Sequence, residues 1–181
     1  MSGSASEKES RLDSIVFDIE TTGLSPNQGH RIIELGAVRL SAGQVVDEFH
    51  SLIDAGVAID PRAQAVHGIS RAMLRGQPQP EQVIPGFRSF IGTVRLVAHN
   101  APFDTRFLRA EFAQFGHGLP NCIECTLKLS RRILVLPNYR LDTVYRHLGG
   151  KVDGAMQRHR ALDDAKMAAF VWLKLQENEL D

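Results

Sequence analysis

Residues 14–23 read SIVFDIETTG, and this stretch decides the fold. From Ile15 to Ile19 every second residue is apolar on one face, a period of two that predicts a β-strand. Asp18 and Glu20 then share the other face, roughly 6.5 Å apart along the backbone. Two carboxylates in this arrangement can converge on a metal ion, although most such pairs only form the polar face of an amphipathic strand. The following Thr21-Thr22-Gly23 ends the strand in a turn whose backbone can approach a ligand closely.

Further strand and helix patterns follow the first strand along the chain. Residues 32–40 and 44–53 are two strand candidates, and the residues Ser41-Ala42-Gly43 between them predict a hairpin. The remaining segments have the patterns of helices over 61–67, 80–90, 102–115, 127–134, 141–148 and 161–177 and of strands over 94–98 and near 122. Helices that alternate with a sheet whose first three strands are antiparallel indicate an α/β layer architecture.

Length and charge limit the domain organisation and the kind of partner. The chain has 181 residues, 43% of them apolar, which suits one domain with a substantial core. We expect a disordered tail over 1–12, where the residues are small, polar and charged, and a single domain over 13–181. Basic and acidic residues number 21 each, so the chain has no global positive field and any contact with nucleic acid must be local.

Cysteine content and hydropathy favour a cytoplasmic location. Cys122 and Cys125 are the only cysteines, which excludes the disulfide framework of secreted proteins. Their C-x-x-C spacing lacks the second pair that a zinc site would need. No apolar run approaches the roughly 18 residues that span a bilayer, and the amino terminus lacks a signal-peptide pattern, so we expect no membrane association.

Two later stretches add chemistry that matches the first. Residues 99–104 read HNAPFD and place Asp104 in the first turn of a helix that follows a strand, where α/β folds usually gather ligands. His159 and Asp164 form the third stretch. Together with the two carboxylates of the first strand, they supply four carboxylates and one histidine. This set suits a pair of divalent ions and a base that activates water.

In order and spacing these three motifs resemble those of the DEDDh branch of the DnaQ-like 3′-5′ exonucleases. That family includes the proofreading subunit of bacterial replicative DNA polymerase. The resemblance runs from about residue 14 to about residue 175. It implies the ribonuclease H-like fold, with a mixed central sheet of about five strands flanked by helices. It also implies hydrolysis of phosphodiester bonds from the 3′ end of DNA, in proofreading or repair, with release of nucleoside 5′-monophosphates.

The same resemblance implies roles for individual residues. His159 acts as the catalytic base. The residues that hold two ions, Mg²⁺ or Mn²⁺, are Asp18, Glu20, Asp104 and Asp164. Asp18 bridges the two ions, and Asp104 supports the second ion largely through water. The residues expected to contact the substrate are Thr21, Thr22, Gly23, Leu24, His67, Asn100 and Phe103.

Helix geometry and the family pattern disagree on the third motif. On a continuous helix, His159 and Asp163 at i and i+4 share a face, whereas His159 and Asp164 diverge by about 140°. Geometry alone therefore selects Asp163. The family pattern selects Asp164, which requires His159 to lie before the helix, on a glycine-containing loop.

Several interpretations stay open at this point. His67 either faces the nucleotide or caps the end of its helix, and Arg31 and Glu34 are near enough in sequence to pair with each other. RNA is the alternative substrate to single-stranded DNA or frayed 3′ ends, and a non-catalytic subunit of a replication complex is the alternative function. Association with a DNA polymerase fits the family. We expect no polymerase-docking tail, however, because this chain ends soon after the last predicted helix.

Overall fold

The computed structural model describes residues 13–151 and 159–178, so the predicted tail over 1–12 lies outside the described residues. The strands of its sheet are β1 (Ser14–Thr21), β2 (Ile32–Ser41), β3 (Gln44–Leu52), β4 (Leu96–Ala98) and β5 (Ile123–Cys125). They lie in the order β3-β2-β1-β4-β5, with β1 antiparallel to β2 and parallel to β4. The predicted mixed sheet of five strands is confirmed. The single domain over 13–181 stays a prediction.

Six of the helices lie where the apolar spacing predicts them, within one residue at either end. The α-helices in the described ranges are α1 (Pro61–His67), α2 (Arg71–Leu74), α3 (Pro80–Ile91), α4 (Ala101–Gln114), α5 (Thr126–Ile133), α6 (Leu141–His147) and α7 (Ala161–Asn178). The sequence pattern does not indicate α2, because four residues are too few for an apolar period to show. Among the described helices, none has the length and apolar character to cross a membrane.

The central strand β1 separates two apolar layers. Alternate residues from Ile15 to Ile19 pack with α3 and α4 in the larger cluster. Val16 faces the opposite side and packs with α7, in a cluster that includes Trp172. Burial on both faces fixes the register of β1, since a slip of one residue would exchange the two faces. Asp18 and Glu20 continue the Val16 face toward the end of the strand.

Gly36 lets the N-terminal end of α7 lie directly on β2. Gly36 pairs with Asp18 of β1 across the antiparallel ladder, so the two residues lie on one face of the sheet. A Cβ atom at this position would lie 2.1 Å from the backbone nitrogen of Leu162 and 2.2 Å from the carbonyl carbon of Ala161. Only glycine permits this approach, which brings the first turn of α7 next to Asp18.

We predict that Gly36→Ala lowers the thermal midpoint of unfolding, because the added methyl group forces α7 away from β2. Overpacking of this kind typically costs about 1–3 kcal/mol of unfolding free energy. The matched control is Gly86→Ala on α3, where a Cβ meets nothing within 4 Å. Alanine is more stable than glycine inside a helix by roughly 0.5–1 kcal/mol, so the control should be at least as stable as the parent. Circular dichroism melts compare the variants, and an unchanged Gly36→Ala midpoint would show that α7 does not need this approach.

Candidate active site

Three parts of the chain bring the predicted acidic residues together at one end of the sheet. Asp18 and Glu20 lie on β1. Asp104 lies in the first turn of α4, and Asp164 lies in the first turn of α7. Asp104 is buried, whereas the other three are half-buried. The Ile19 N–H donates to the Asp104 carboxylate, which ties α4 to β1 between the two acids of the strand.

His159 lies two residues before α7 and is therefore not part of the helix. Ligand atoms of Glu20, His159 and Asp164 all lie within 4.8 Å of one another, close enough to share a metal ion. The backbone N–H of His159 also donates to Asp164 Oδ2 at 3.2 Å. Asp163 is outside this group, and its charge acts on Arg160 instead. The i, i+4 argument for Asp163 has no force, because it assumes a helix that has not yet begun at His159.

Burial and mutual repulsion make the carboxyl groups of this cluster weak acids. Burial, followed by the charges of Asp164 and Glu34, raises the pKa of Glu20 from 4.5 to about 9. Burial raises the pKa of Asp104 to about 8, against backbone hydrogen bonds that lower it. The pKa of Asp18 is raised well above its ordinary value by burial and by the charges of Asp104 and Asp164. Carboxylates that repel one another beside an imidazole form a donor set that fits a divalent cation.

Comparison with known proteins shows the family of the chain. A family model for exonucleases, RNase_T, matches residues 15–171. The chain belongs to this exonuclease family. The resemblance to the DEDDh exonucleases found in the three motifs is thereby confirmed.

Curated relatives of the exonuclease are DNA polymerase III proteins. The PolC-type DNA polymerase III of Thermotoga petrophila is 42% identical over 164 residues, which make up 90% of this chain and 12% of the relative. The DNA polymerase III subunit epsilon of Aquifex aeolicus is 34% identical over 165 residues, which make up 90% of this chain and 80% of the subunit. The chain thus spans a small part of the PolC-type relatives and most of the epsilon subunit.

A solved structure of exonuclease X, in complex with 5′ overhanging duplex DNA, has a similar fold. Its TM-score is 0.74, its sequence identity is 30%, and the alignment covers 91% of each chain. The five-stranded mixed sheet with its flanking helices is the ribonuclease H-like fold of these exonucleases.

A buried glutamate, Glu34, lies opposite Glu20 on β2, and its partners differ from the one that its neighbours in sequence suggest. Arg31 pairs with Glu111 at 2.7 Å, and Glu34 is bonded to His50 and Arg160. The expected pairing of Arg31 with Glu34 is wrong, because residues three apart on an extended strand point to opposite faces. Only the three-dimensional arrangement identifies the partners of Glu34.

The threonine side chains at the turn after β1 form hydrogen bonds within the protein. Thr21 Oγ1 donates to the Gly23 carbonyl at 2.7 Å, and Thr22 Oγ1 accepts from the Arg31 N–H at 2.9 Å. Leu24 follows the turn with 72% of its surface exposed. Of the residues expected to contact substrate on this turn, Leu24 therefore presents an uncommitted apolar side chain, and the threonines hold the shape of the turn.

The other residues expected to contact substrate differ in how free they are. Asn100 is exposed, has φ +66° and makes no capping hydrogen bond with its side chain, whereas Phe103 is half-buried. His67 is buried, and its Nδ1 accepts from the Ile69 N–H at 3.0 Å. Its Nε2 lies 3.2 Å from the Thr21 carbonyl oxygen, to which it donates. Both ring nitrogens of His67 are bonded within the protein, which leaves only the ring face for a nucleotide.

We predict that the metal-free exonuclease loses stability as the pH rises from about 4.5 to about 9, the interval between the ordinary and folded pKa values of Glu20. In this interval the folded protein retains a proton that the unfolded chain releases, so the free energy of unfolding falls with increasing pH. A bound divalent cation would replace that proton. The rise in thermal midpoint on adding Mg²⁺ or Mn²⁺ should therefore increase with pH.

Thermal melts in EDTA and in excess cation, over a series of pH values, measure both trends. The matched control is Glu20→Gln, which keeps the shape of the side chain and removes its titration. Its midpoint in EDTA should depend less on pH than that of the parent. A parent whose metal-free midpoint rises with pH relative to Glu20→Gln would contradict the assigned electrostatics.

Proposed function

We propose that this exonuclease hydrolyses the terminal phosphodiester bond at the 3′ end of DNA and releases nucleoside 5′-monophosphates. One observation carries the proposal. Four carboxylates and a histidine from distant parts of the chain meet at one end of the sheet, and these residues are Asp18, Glu20, Asp104, Asp164 and His159. Phosphodiester hydrolysis needs an acceptor for the proton of water and positive charge near phosphorus. This set offers the acceptor and the ligands for that charge, which argues against a non-catalytic subunit.

The residues of the site divide the work of the reaction. Two Mg²⁺ or Mn²⁺ ions held by the four carboxylates would supply the positive charge that activates water and neutralises the reacting phosphate. His159 accepts a proton from the attacking water, because a neutral imidazole has a nitrogen lone pair that can take it. The water oxygen bonds to phosphorus, the bond from phosphorus to the 3′ oxygen of the preceding nucleotide breaks, and that oxygen takes a proton from solvent.

DNA is the substrate that we favour, as single strands or frayed 3′ ends, with RNA as the alternative. Support comes from the relatives named DNA polymerase III and from exonuclease X, which was solved with duplex DNA. Leu24 and Asn100 are both exposed, and in this proposal they contact a terminal nucleotide. Association with a DNA polymerase and a cytoplasmic location belong to the same proposal and rest on the names of these relatives.

We predict that Asp164→Ala abolishes metal-dependent hydrolysis, whereas Asp163→Ala stays within a few fold of the parent. Asp164 lies with Glu20 and His159 in the candidate metal group, and Asp163 does not. Release of mononucleotides from a labelled single strand in Mg²⁺ measures both variants, with EDTA as the blank. The opposite order of effects would show that the third motif is read one residue out of register.

We predict that digestion proceeds from the 3′ end, so a blocked 3′ terminus should resist the enzyme and circular single strands should survive. Turnover on single-stranded DNA, mismatched duplex, matched duplex and RNA, measured side by side, identifies the substrate. Faster turnover of RNA would favour the alternative. Mononucleotides that appear first from the 5′ end would contradict the proposed polarity.

A further inference from the structure

Glu34 is a buried carboxylate for which the proposed reaction has no use. Its side chain is 0% exposed, and it pairs with Glu20 across the ladder between β1 and β2. Its charge raises the pKa of Glu20 and of Asp18, so its presence adds to the repulsion within the site. A buried charge persists only where nearby groups compensate it.

Part of the compensation comes from the two residues that follow His159. Arg160 donates to Glu34 from Nη2 at 2.9 Å and from Nε, which is shared between the two carboxylate oxygens at 3.1 and 3.2 Å. The Ala161 N–H donates to the same carboxylate at 3.2 Å, and His50 Nε2 donates to it at 2.7 Å. Glu34 therefore fastens the chain just after His159 to β2, and His50 links the same carboxylate to β3.

His159 has a backbone conformation that needs such support. Its φ is +58°, in the left-handed region that a non-glycine residue adopts only where surrounding contacts hold it. Its own N–H is bonded to Asp164, and the next residue is held by Glu34. The direction of the imidazole therefore depends on the ion pair between Glu34 and Arg160. Only 26% of the Arg160 side chain is exposed, and its Nε and Nη2 both donate to Glu34.

We infer that Arg160 and Glu34 are positioning residues for His159. Their ion pair fixes the backbone turn from which the imidazole reaches the attacking water, and His50 completes the hydrogen bonding of Glu34. The inference rests on the proposed role of His159 as the base. It differs from a purely structural role, in which the pair would only fasten α7 to β2 and its loss would lower stability without acting through His159.

Arg160→Gln tests the inference, with Arg71→Gln as the matched control. Arg71 also forms an ion pair, with Asp54, away from the acidic cluster. Arg160→Gln should lower kcat on single-stranded DNA at least about tenfold and leave KM within about twofold, because a misplaced base affects turnover and not binding. Arg71→Gln should stay within about twofold in both constants. Arg160→Lys keeps the charge but loses the two-point contact, so its kcat should fall between those of the parent and Arg160→Gln.

A second experiment tests whether the loss of kcat in Arg160→Gln acts through His159. In a His159→Ala background, Arg160→Gln should change the residual turnover by less than about twofold, because the group that it positions is already gone. An equal loss of turnover in both backgrounds would overturn the inference, since Arg160 would then act independently of His159.

The imidazole resonances of His159 give a readout that does not depend on activity. In NMR spectra they should shift or broaden in Arg160→Gln, whereas those of His99, whose ring is bonded to Thr126 and Tyr139, should not. Unchanged His159 resonances, or a kcat within twofold of the parent, would overturn the inference. If Arg160→Gln does not fold, Arg160→Lys carries the same measurements. A parent that does not degrade DNA would refute the proposed function, and the resonances would still test the positioning.

Discussion

Repulsion between carboxylates is the constraint on which the arrangement of this structure depends. Asp18 lies within reach of the charges of Glu20, Asp104 and Asp164, and all of these raise its pKa. The four groups lie on rigid parts of the fold. Asp18 and Glu20 lie on a strand that is buried on both faces, and Asp104 and Asp164 lie in the first turns of two helices. The N-terminus of a helix carries roughly half an elementary positive charge, so α4 and α7 offset part of the repulsion. Retained protons offset the rest in the metal-free protein, and a divalent cation would replace them.

Buried acids of two kinds stand side by side in this site, and their electrostatics separate them. Burial alone would raise the pKa of Glu34, but hydrogen bonds from His50 and Arg160 outweigh it and bring the pKa below its ordinary value. Glu20, directly opposite on β1, has its pKa raised to about 9. The protein itself neutralises the first carboxylate, and the raised pKa of the second fits the metal-binding role that we propose for it. Within one cluster of acids, the location of the compensating charge therefore separates a structural carboxylate from a candidate metal ligand.

Local patterns predict the elements because apolar period and turn residues act over a few positions, as in β1 and in the helix that places Asp104. The choice between Asp163 and Asp164 is different in kind. It depends on where α7 begins, which spacing alone does not reveal, and the family resemblance was needed to select Asp164. The partners of Glu34 are equally hidden, because Arg160 lies 126 positions further along the chain and no local rule connects them. Such long-range pairs are decided by tertiary packing alone.

The contact between α7 and Gly36 also brings together parts of the site that are made at different times. During synthesis β1, β2 and α4 emerge from the ribosome well before α7. Until α7 docks, Asp18 and Glu20 have neither Asp164 nor His159 beside them. A chain in which α7 has not yet docked therefore lacks two of the five groups that we propose for the reaction. Under the proposed function, competence for hydrolysis would follow the docking of the last described helix.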